Sequence, residues 1–198
     1  WVAALLQGMR QGECLGLTWD RIDLDAGTLT VDRQLVEMTA AEDVTGTDGI
    51  IYEHLMDGYY WGPVKTAAGS RVLPLVPWMA AALAAWRNQC PASPYGLVWP
   101  RPDGGPWSKK DDRLAWRALQ DVAGVHKEDG GYYLVHEARH STATLLMAAG
   151  VPATVVIAIM GHTAITTSMG YQHADLDQAR QALEAVAPRL GLTSTPTP

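Results

Sequence analysis

Apolar residues recur at helical spacing in several separate parts of the chain. The first such run is at the very start, over residues 1–6, and a second short helix opens at Glu13 and ends near Trp19. Pro77, a favourable first-turn residue, starts a longer helix to about Gln89. Because the chain begins inside a helical pattern, without Met or a capping residue, we expect an N-terminally truncated fragment.

The second half of the chain carries most of the helical patterns. Ser108 is a capping residue that opens one helix, and Gly150 and Gly161 are stop signals after two others. Asp175 and Gln178 form a start resembling a capping box for the last helix. The predicted helices cover residues 108–122, 134–149, 152–160 and 175–187.

Strand patterns are confined to the first half. Residues 28–37 alternate and are rich in β-branched side chains, which predicts one strand. Residues 38–58 are polar and rich in Gly, Asp and Thr, which predicts a long loop. Residues 61–77 predict a β-hairpin with Lys65 at its mouth. The expected fold class is α+β, mainly α-helical with a small antiparallel β-sheet.

Composition narrows the functional classes. The 198 residues fit one domain, 47% of them hydrophobic and 18% charged. The net charge of -6 argues against indiscriminate nucleic-acid binding, although it leaves room for a local basic face. Cys14 and Cys90 are too few for a disulfide framework, so we expect a reducing cytoplasm. No apolar run approaches transmembrane length, and no signal peptide is visible.

The helix over residues 108–122 has the densest basic face in the chain. The pattern places the apolar residues Leu114, Leu119 and Val122 on the opposite side. Such a face is either solvated or a contact for phosphates in a DNA groove. The candidate DNA-binding residues are Lys109, Lys110, Arg113 and Arg117.

The run His136-Glu137-Ala138-Arg139-His140 concentrates candidate chemistry on one helical turn. Residues three and four apart share a helix face, so the two histidines and the arginine are expected to project together. As H-E-x-x-H the run is a zinc-protease motif, with Glu137 as the base. As H-x-x-R-H it is a phosphate-gripping turn that joins a fixed cation to a proton-transfer group. A third interpretation is a helix start with solvated charges.

The zinc interpretation lacks a third ligand. In one protease subclass a Gly and a His follow the motif, but Ala143 and Leu146 stand at those positions. The next glutamate, Glu184, lies far along the chain on another predicted helix. We therefore expect no metal.

Four segments in a fixed order resemble the tyrosine recombinase, or phage integrase, family. They are GMRQGECLGLTW, PVKTAAGSRVLPL, HEARHSTATLL, and the Gly161-His162 pair followed nine residues later by Tyr171. The resemblance extends from about residue 5 to residue 175. The sequence departs from the family in an insertion over residues 38–58, in Ala138 where Leu is frequent, and in Gly170 before the tyrosine.

The resemblance implies a DNA breaking and rejoining reaction without cofactor or metal. Tyr171 would be the nucleophile that forms a covalent 3′-phosphotyrosine, and Lys65 would protonate the departing 5′ oxygen. Charge stabilisation of the phosphate would fall to arginines. The remaining implied roles are phosphate binding by Arg10 and Arg139, tyrosine activation by His136, donation to the phosphate by His162, orientation by Glu13 and support by His140.

The family also implies an organisation and partners. Residues 1–187 would form the catalytic domain, without an upstream DNA-clamping domain, and residues 188–198 a flexible tail. Double-stranded attachment sites would be the substrate in phage or mobile-element integration or excision, with accessory directionality proteins, in a bacterial cytoplasm and without a membrane. The resemblance puts the helix over residues 108–122 in the major groove. It makes the last helix the link between protomers of a DNA-bound homotetramer, whereas the isolated fragment would be monomeric. The open alternative is a DNA-binding relative that has lost catalysis.

Overall fold

The computed structural model of the chain describes residues 1–40, 43–46, 49–161, 176–186 and 188. Its helices are α1 (Val2–Gln7), α2 (Gln11–Leu15), α3 (Pro77–Arg87), α4 (Lys109–Ala123), α5 (Val135–Ala148), α6 (Ala153–Met160) and α7 (Leu176–Val186). Its strands are β1 (Ile22–Asp23), β2 (Thr28–Val31), β3 (Arg33–Glu37), β4 (Val44–Thr45), β5 (Ile51–Met56), β6 (Tyr59–Pro63) and β7 (Arg71–Pro74). The predicted α+β class, dominated by helices, is confirmed.

The strands form two small antiparallel sheets within the described residues. One has the order β1-β2-β7, and the other has the order β3-β6-β5-β4. The predicted single strand over residues 28–37 is therefore wrong, because the chain passes from one sheet to the other at Asp32. The long loop predicted over residues 38–58 is also wrong, since β4 and β5 lie inside it and pair with each other.

The predicted hairpin around Lys65 does not form. Strand β6 pairs with β3 and β5, whereas β7 pairs with β2 in the other sheet. The connection from Val64 to Ser70 contains a turn of 3-10 helix over Ala67–Gly69 and links the two sheets. Which strand pairs with which is decided by packing across the whole domain rather than by local propensity.

The main hydrophobic core lies between the β1-β2-β7 sheet and helices α1, α3, α5, α6 and α7. Helix α7 contributes four buried residues, Ala179, Ala182, Leu183 and Val186. Leu176, at the start of the helix, is instead 39% exposed. The Arg180 guanidinium donates to the carbonyls of Leu75 and Gly27, at 2.7 and 3.0 Å. In this chain α7 therefore packs against its own domain.

One helix prediction needs correction, whereas the predicted cap at Ser108 is confirmed. Helix α2 ends at Leu15 rather than near Trp19, since Thr18 is already extended and bridged to Leu97. Helix α4 begins after Ser108, whose hydroxyl accepts from the Asp111 backbone N–H at 2.9 Å.

The core-facing side of α4 is not the one that the pattern predicted. Leu114, Leu119 and Val122 are exposed, whereas Trp116 and Gln120 are buried. Both buried side chains hydrogen-bond the backbone of Tyr133, just before α5. A buried glutamine that binds backbone in this way looks like a surface residue in the sequence.

Candidate active site

Helix α5 presents two histidines to solvent and one arginine to the interior. The His136 and His140 rings are exposed and meet edge-on, with centroids 4.7 Å apart. Arg139 is 1% exposed. The three side chains therefore do not share one surface, because the two histidines are exposed and the arginine is buried. His140 lies beside His136 at the surface.

Glu137 stabilises the start of α5. Its carboxylate accepts from the Leu134 backbone N–H at 2.6 Å and forms an ion pair with Lys127 at 3.0 Å. Within the described part of the chain, no group of three or more His, Cys, Asp or Glu side chains is placed to hold a metal ion. Glu137 is thus engaged in capping its own helix.

Arg139 crosses from α5 to two other segments. Its guanidinium donates to the carbonyl of Gly8, which ends α1 with a left-handed φ of 60°, and to the carbonyl of Met160. Burial, and then repulsion from Arg10 and Arg71, lowers the pKa of Arg139 to about 10. The side chain stays cationic at neutral pH.

Arg10 and Glu13 form an ion pair across the first turn of α2. The Arg10 Nη1 lies 2.7 Å from Glu13 Oε1, and the Arg10 backbone N–H donates to Glu13 Oε2 at 2.9 Å. Burial opposes ionisation of Glu13, yet the charge of Arg71 and hydrogen bonds from Arg71 and Arg10 hold its pKa below the usual value. The carboxylate is therefore ionised, as the orienting role expected of Glu13 requires.

A third arginine, Arg71 at the start of β7, belongs to this cluster and was missed from the sequence. Its guanidinium donates to the carbonyls of Ile159 and Gly69, at 2.8 and 2.7 Å, and lies 3.0 Å from Glu13 Oε2. The sequence signal that could have indicated a buried position for Arg71 is the alternation of side chains along a strand. Arg71 is two residues from the buried Leu73, while Val72 between them is exposed.

The three arginines meet at the C-terminal end of α6. Arg71, Arg139 and Arg10 donate to the consecutive carbonyls of Ile159, Met160 and Gly161, the last at 3.2 Å. Carbonyls at a helix C-terminus carry partial negative charge and attract cations. The end of α6 is thereby fixed immediately before His162. The predicted His162 and Tyr171 both lie outside the described residues.

Lys65 lies on the connection between β6 and β7, with its side chain exposed. The same connection approaches the arginines at its far end, because a Cβ added to Gly69 would lie 3.5 Å from Arg10 Nη1. The Ala68 carbonyl oxygen is similarly close to Gly161. The structure thus brings the backbone that carries Lys65 to the arginine cluster, although not as a hairpin tip.

The surroundings of His136 favour the neutral form of its imidazole. Partial desolvation of the ring, followed by the charges of His140, Arg139 and Arg10, lowers the pKa of His136 below the ordinary 6.5. At neutral pH the imidazole is uncharged and can accept a proton.

The basic helix α4 is anchored beside the site. The Gln11 side chain, next to Arg10, donates to the Lys109 carbonyl at 3.2 Å and to Asp112 at 2.6 Å. Lys110, Arg113 and Arg117 are exposed, and Lys109 is half-buried. We call these four residues the basic face of α4.

Comparisons with known proteins agree with this architecture. The sequence profile described as the phage integrase family matches residues 3–178. Tyrosine recombinase XerC of Xylella fastidiosa (strain M23) is 26% identical over 92% of this chain and 50% of that protein. An integrase of Saccharopolyspora erythraea is 25% identical over 87% of this chain and 48% of its own length.

Solved structures show the same relationship. The Tn1549 transposon integrase, determined in complex with transposon right end DNA, aligns with a TM-score of 0.65 and 26% identity over 94% of this chain and 57% of that one. A helical α+β domain with this arrangement is the architecture of tyrosine recombinase catalytic domains. The chain belongs to the phage integrase family, and this membership decides against the zinc-protease interpretation.

The chain spans about half the length of the curated relatives that it matches. Among the described residues, no helix is long and apolar enough to cross a membrane.

Proposed function

We propose that this chain is the catalytic domain of a site-specific DNA recombinase that cleaves and rejoins DNA through a covalent 3′-phosphotyrosine. The observation that carries the proposal is the convergence of Arg10 and Arg139 on adjacent carbonyls directly before His162. A guanidinium has five N–H donors, and the contacts seen here leave some of them free on Arg10, whose side chain is 22% exposed. Those donors are suited to the non-bridging oxygens of a phosphodiester.

In the proposed reaction, the arginines stabilise the negative charge of the phosphate while the tyrosine attacks it. Tyr171 attacks phosphorus, so that a P–O bond to the tyrosine forms while the bond to the 5′ oxygen breaks. The neutral His136 helps remove the tyrosine proton, Lys65 supplies a proton to the departing 5′ oxygen, and His162 donates to the phosphate. Because the phosphotyrosine conserves the bond energy, a 5′ hydroxyl from another strand reverses the step and rejoins the DNA.

The basic face of α4 is the proposed DNA contact, lying in the major groove. Its support is the exposure of three of its four cations beside the arginine cluster. Leu114, 52% exposed, lies four residues after Lys110 and three before Arg117, and is suited to the methyl group of thymine. DNA binding then depends on a local face of a chain whose net charge is -6.

The proposal extends to double-stranded attachment sites, a homotetramer on DNA and accessory directionality proteins in a bacterial cytoplasm. In that assembly α7 docks on a neighbouring protomer. Its packing on its own domain in this structure represents the state of an isolated chain.

The test is a covalent-adduct assay with the full-length protein on nicked attachment-site DNA. Tyr171→Phe should abolish the adduct and leave DNA affinity unchanged. Tyr132→Phe is the matched control, since that hydroxyl bonds Asp121 on the surface. An adduct that persists in Tyr171→Phe contradicts the assignment, and a wild-type protein that binds DNA without any adduct is a relative that has lost catalysis.

A further inference from the structure

Arg71 is the most highly connected side chain of the site, and neither the sequence motifs nor the proposed chemistry gives it a role. Its side chain is 6% exposed, and the Glu13 side chain that it meets is fully buried. Nε binds the end of α6, Nη1 binds the Gly69 carbonyl, and Nη2 binds Glu13. One rigid fork therefore joins α2 and the end of α6, both distant in sequence, to Gly69, which lies two residues before Arg71 itself.

The contact with Glu13 transmits order to Arg10. The two guanidinium groups divide the carboxylate, with Oε1 facing Arg10 and Oε2 facing Arg71, while Oε2 also accepts from the Arg10 backbone N–H. Without Arg71, the buried carboxylate would keep only its two contacts with Arg10, one from the backbone N–H and one from the guanidinium. With Arg71 holding one oxygen, the other stays aimed at the Arg10 guanidinium.

The contact with Gly69 acts on the segment that carries Lys65. Lys65 is exposed and lies four residues before Gly69 on the connection between the sheets. The hydrogen bond from Arg71 to the Gly69 carbonyl, at 2.7 Å, is local. Because the same guanidinium is anchored on Ile159 and Glu13, it ties the end of this connection to the site. A mobile connection would present Lys65 in many positions, which reduces the fraction of molecules with a correctly placed proton donor.

We propose that Arg71 is a positioning residue that holds the Lys65 connection in place against the Arg10–Glu13 pair. The inference rests on the proposed function, since it concerns how that reaction places its proton donor. Arg71 acts through the Gly69 carbonyl and Glu13, and needs no contact with DNA. A lysine at this position keeps the charge but cannot reach all three partners with a planar fork.

The experiment compares two nicked DNA substrates that differ at one atom. In the first, the leaving group is the ordinary 5′ oxygen. In the second, sulfur replaces that bridging oxygen. A thiol has an unperturbed pKa of about 8.5, so a thiolate leaves without a proton donor. The readout is the ratio of the sulfur to the oxygen cleavage rate under single-turnover conditions.

This ratio separates positioning from folding. Both rates are measured on the same folded molecules, so a smaller folded fraction lowers them equally and leaves the ratio unchanged. The variants are Arg71→Lys and Arg71→Met in the full-length protein, with Lys65→Ala as the reference for a missing donor. Arg21→Lys is the matched control, because Arg21 also pairs with carboxylates but in a surface cluster with Asp20 and Asp32.

Lys65→Ala should raise the ratio most, and both Arg71 variants should raise it at least tenfold above wild type. Arg21→Lys should leave it unchanged. An unchanged ratio in the Arg71 variants overturns the inference, even if they cleave slowly. Failure of the proposed function gives a different result, because neither wild type nor Tyr171→Phe then forms an adduct on either substrate. That result would overturn the role of Arg71 as well.

Discussion

Leu183→Ala should destabilise the isolated 198-residue chain, because α7 packs into the chain's own core. Leu183 is 5% exposed and belongs to the same cluster as residues of α1, α6 and β7. Leu→Ala changes at such positions cost about 2–5 kcal/mol, from lost burial and the cavity left behind. For a domain of this size, each kcal/mol lowers the melting temperature by about 2–4 °C.

The assay is urea unfolding of wild type and variant at two protein concentrations about fiftyfold apart. Packing within one chain predicts the same loss, about 2–5 kcal/mol, at both concentrations. Leu176→Ala is the matched control, since Leu176 lies on the same helix but is 39% exposed. A Leu183→Ala effect no larger than that of the control, or one that appears only at the higher concentration, would refute the packing of α7 on its own domain.

Three further outcomes are expected. Arg139→Lys should reduce DNA cleavage at least about a hundredfold although charge is kept, because a point charge cannot replace a fork that also binds two carbonyls; a rate near wild type would make Arg139 purely structural. The acidic limb of the cleavage pH profile should lie below pH 6.5, because the lowered pKa of His136 keeps it neutral above that value and protonation on acidification removes the base. His140→Gln removes one of the charges that lower this pKa, so the limb should move to higher pH; an unmoved limb would assign it to another group. Replacing the first three cations of the basic face of α4 by glutamine should reduce the slope of log affinity against log salt by about 2–3, measured by DNA-binding titrations; an unchanged slope would place the DNA elsewhere.

The sequence located the arginine and lysine segments because their signals are local. Arg10 and Glu13 are three residues apart at a helix start, and a pair with that spacing meets regardless of the rest of the fold. The stop signals at Gly150 and Gly161 likewise mark turns that the structure contains.

Features that depend on distant partners were not predictable in the same way. Arg71 is separated from Ile159 by 88 residues, and no spacing rule indicates that the two meet. The two adjacent strand patterns around Lys65 predicted a hairpin. In the structure, however, the two strands belong to different sheets, β6 to the β3-β6-β5-β4 sheet and β7 to the β1-β2-β7 sheet. On α4 the apolar residues were assigned to the core, but Trp116 and Gln120 occupy it because the backbone of Tyr133 lies there to receive their hydrogen bonds.

Gly8 has no side chain, and yet it should be among the positions least tolerant of replacement. Its φ of 60° penalises any L-residue, and a Cβ there would lie 2.4 Å from the Met160 sulfur. Its carbonyl also receives Arg139 and, at 3.5 Å, Arg71. Every substitution at Gly8 should shift this carbonyl and so displace the two arginines that bind it. In a saturation-mutagenesis map of this domain, we therefore expect Gly8 to tolerate substitution as poorly as the proposed catalytic residues.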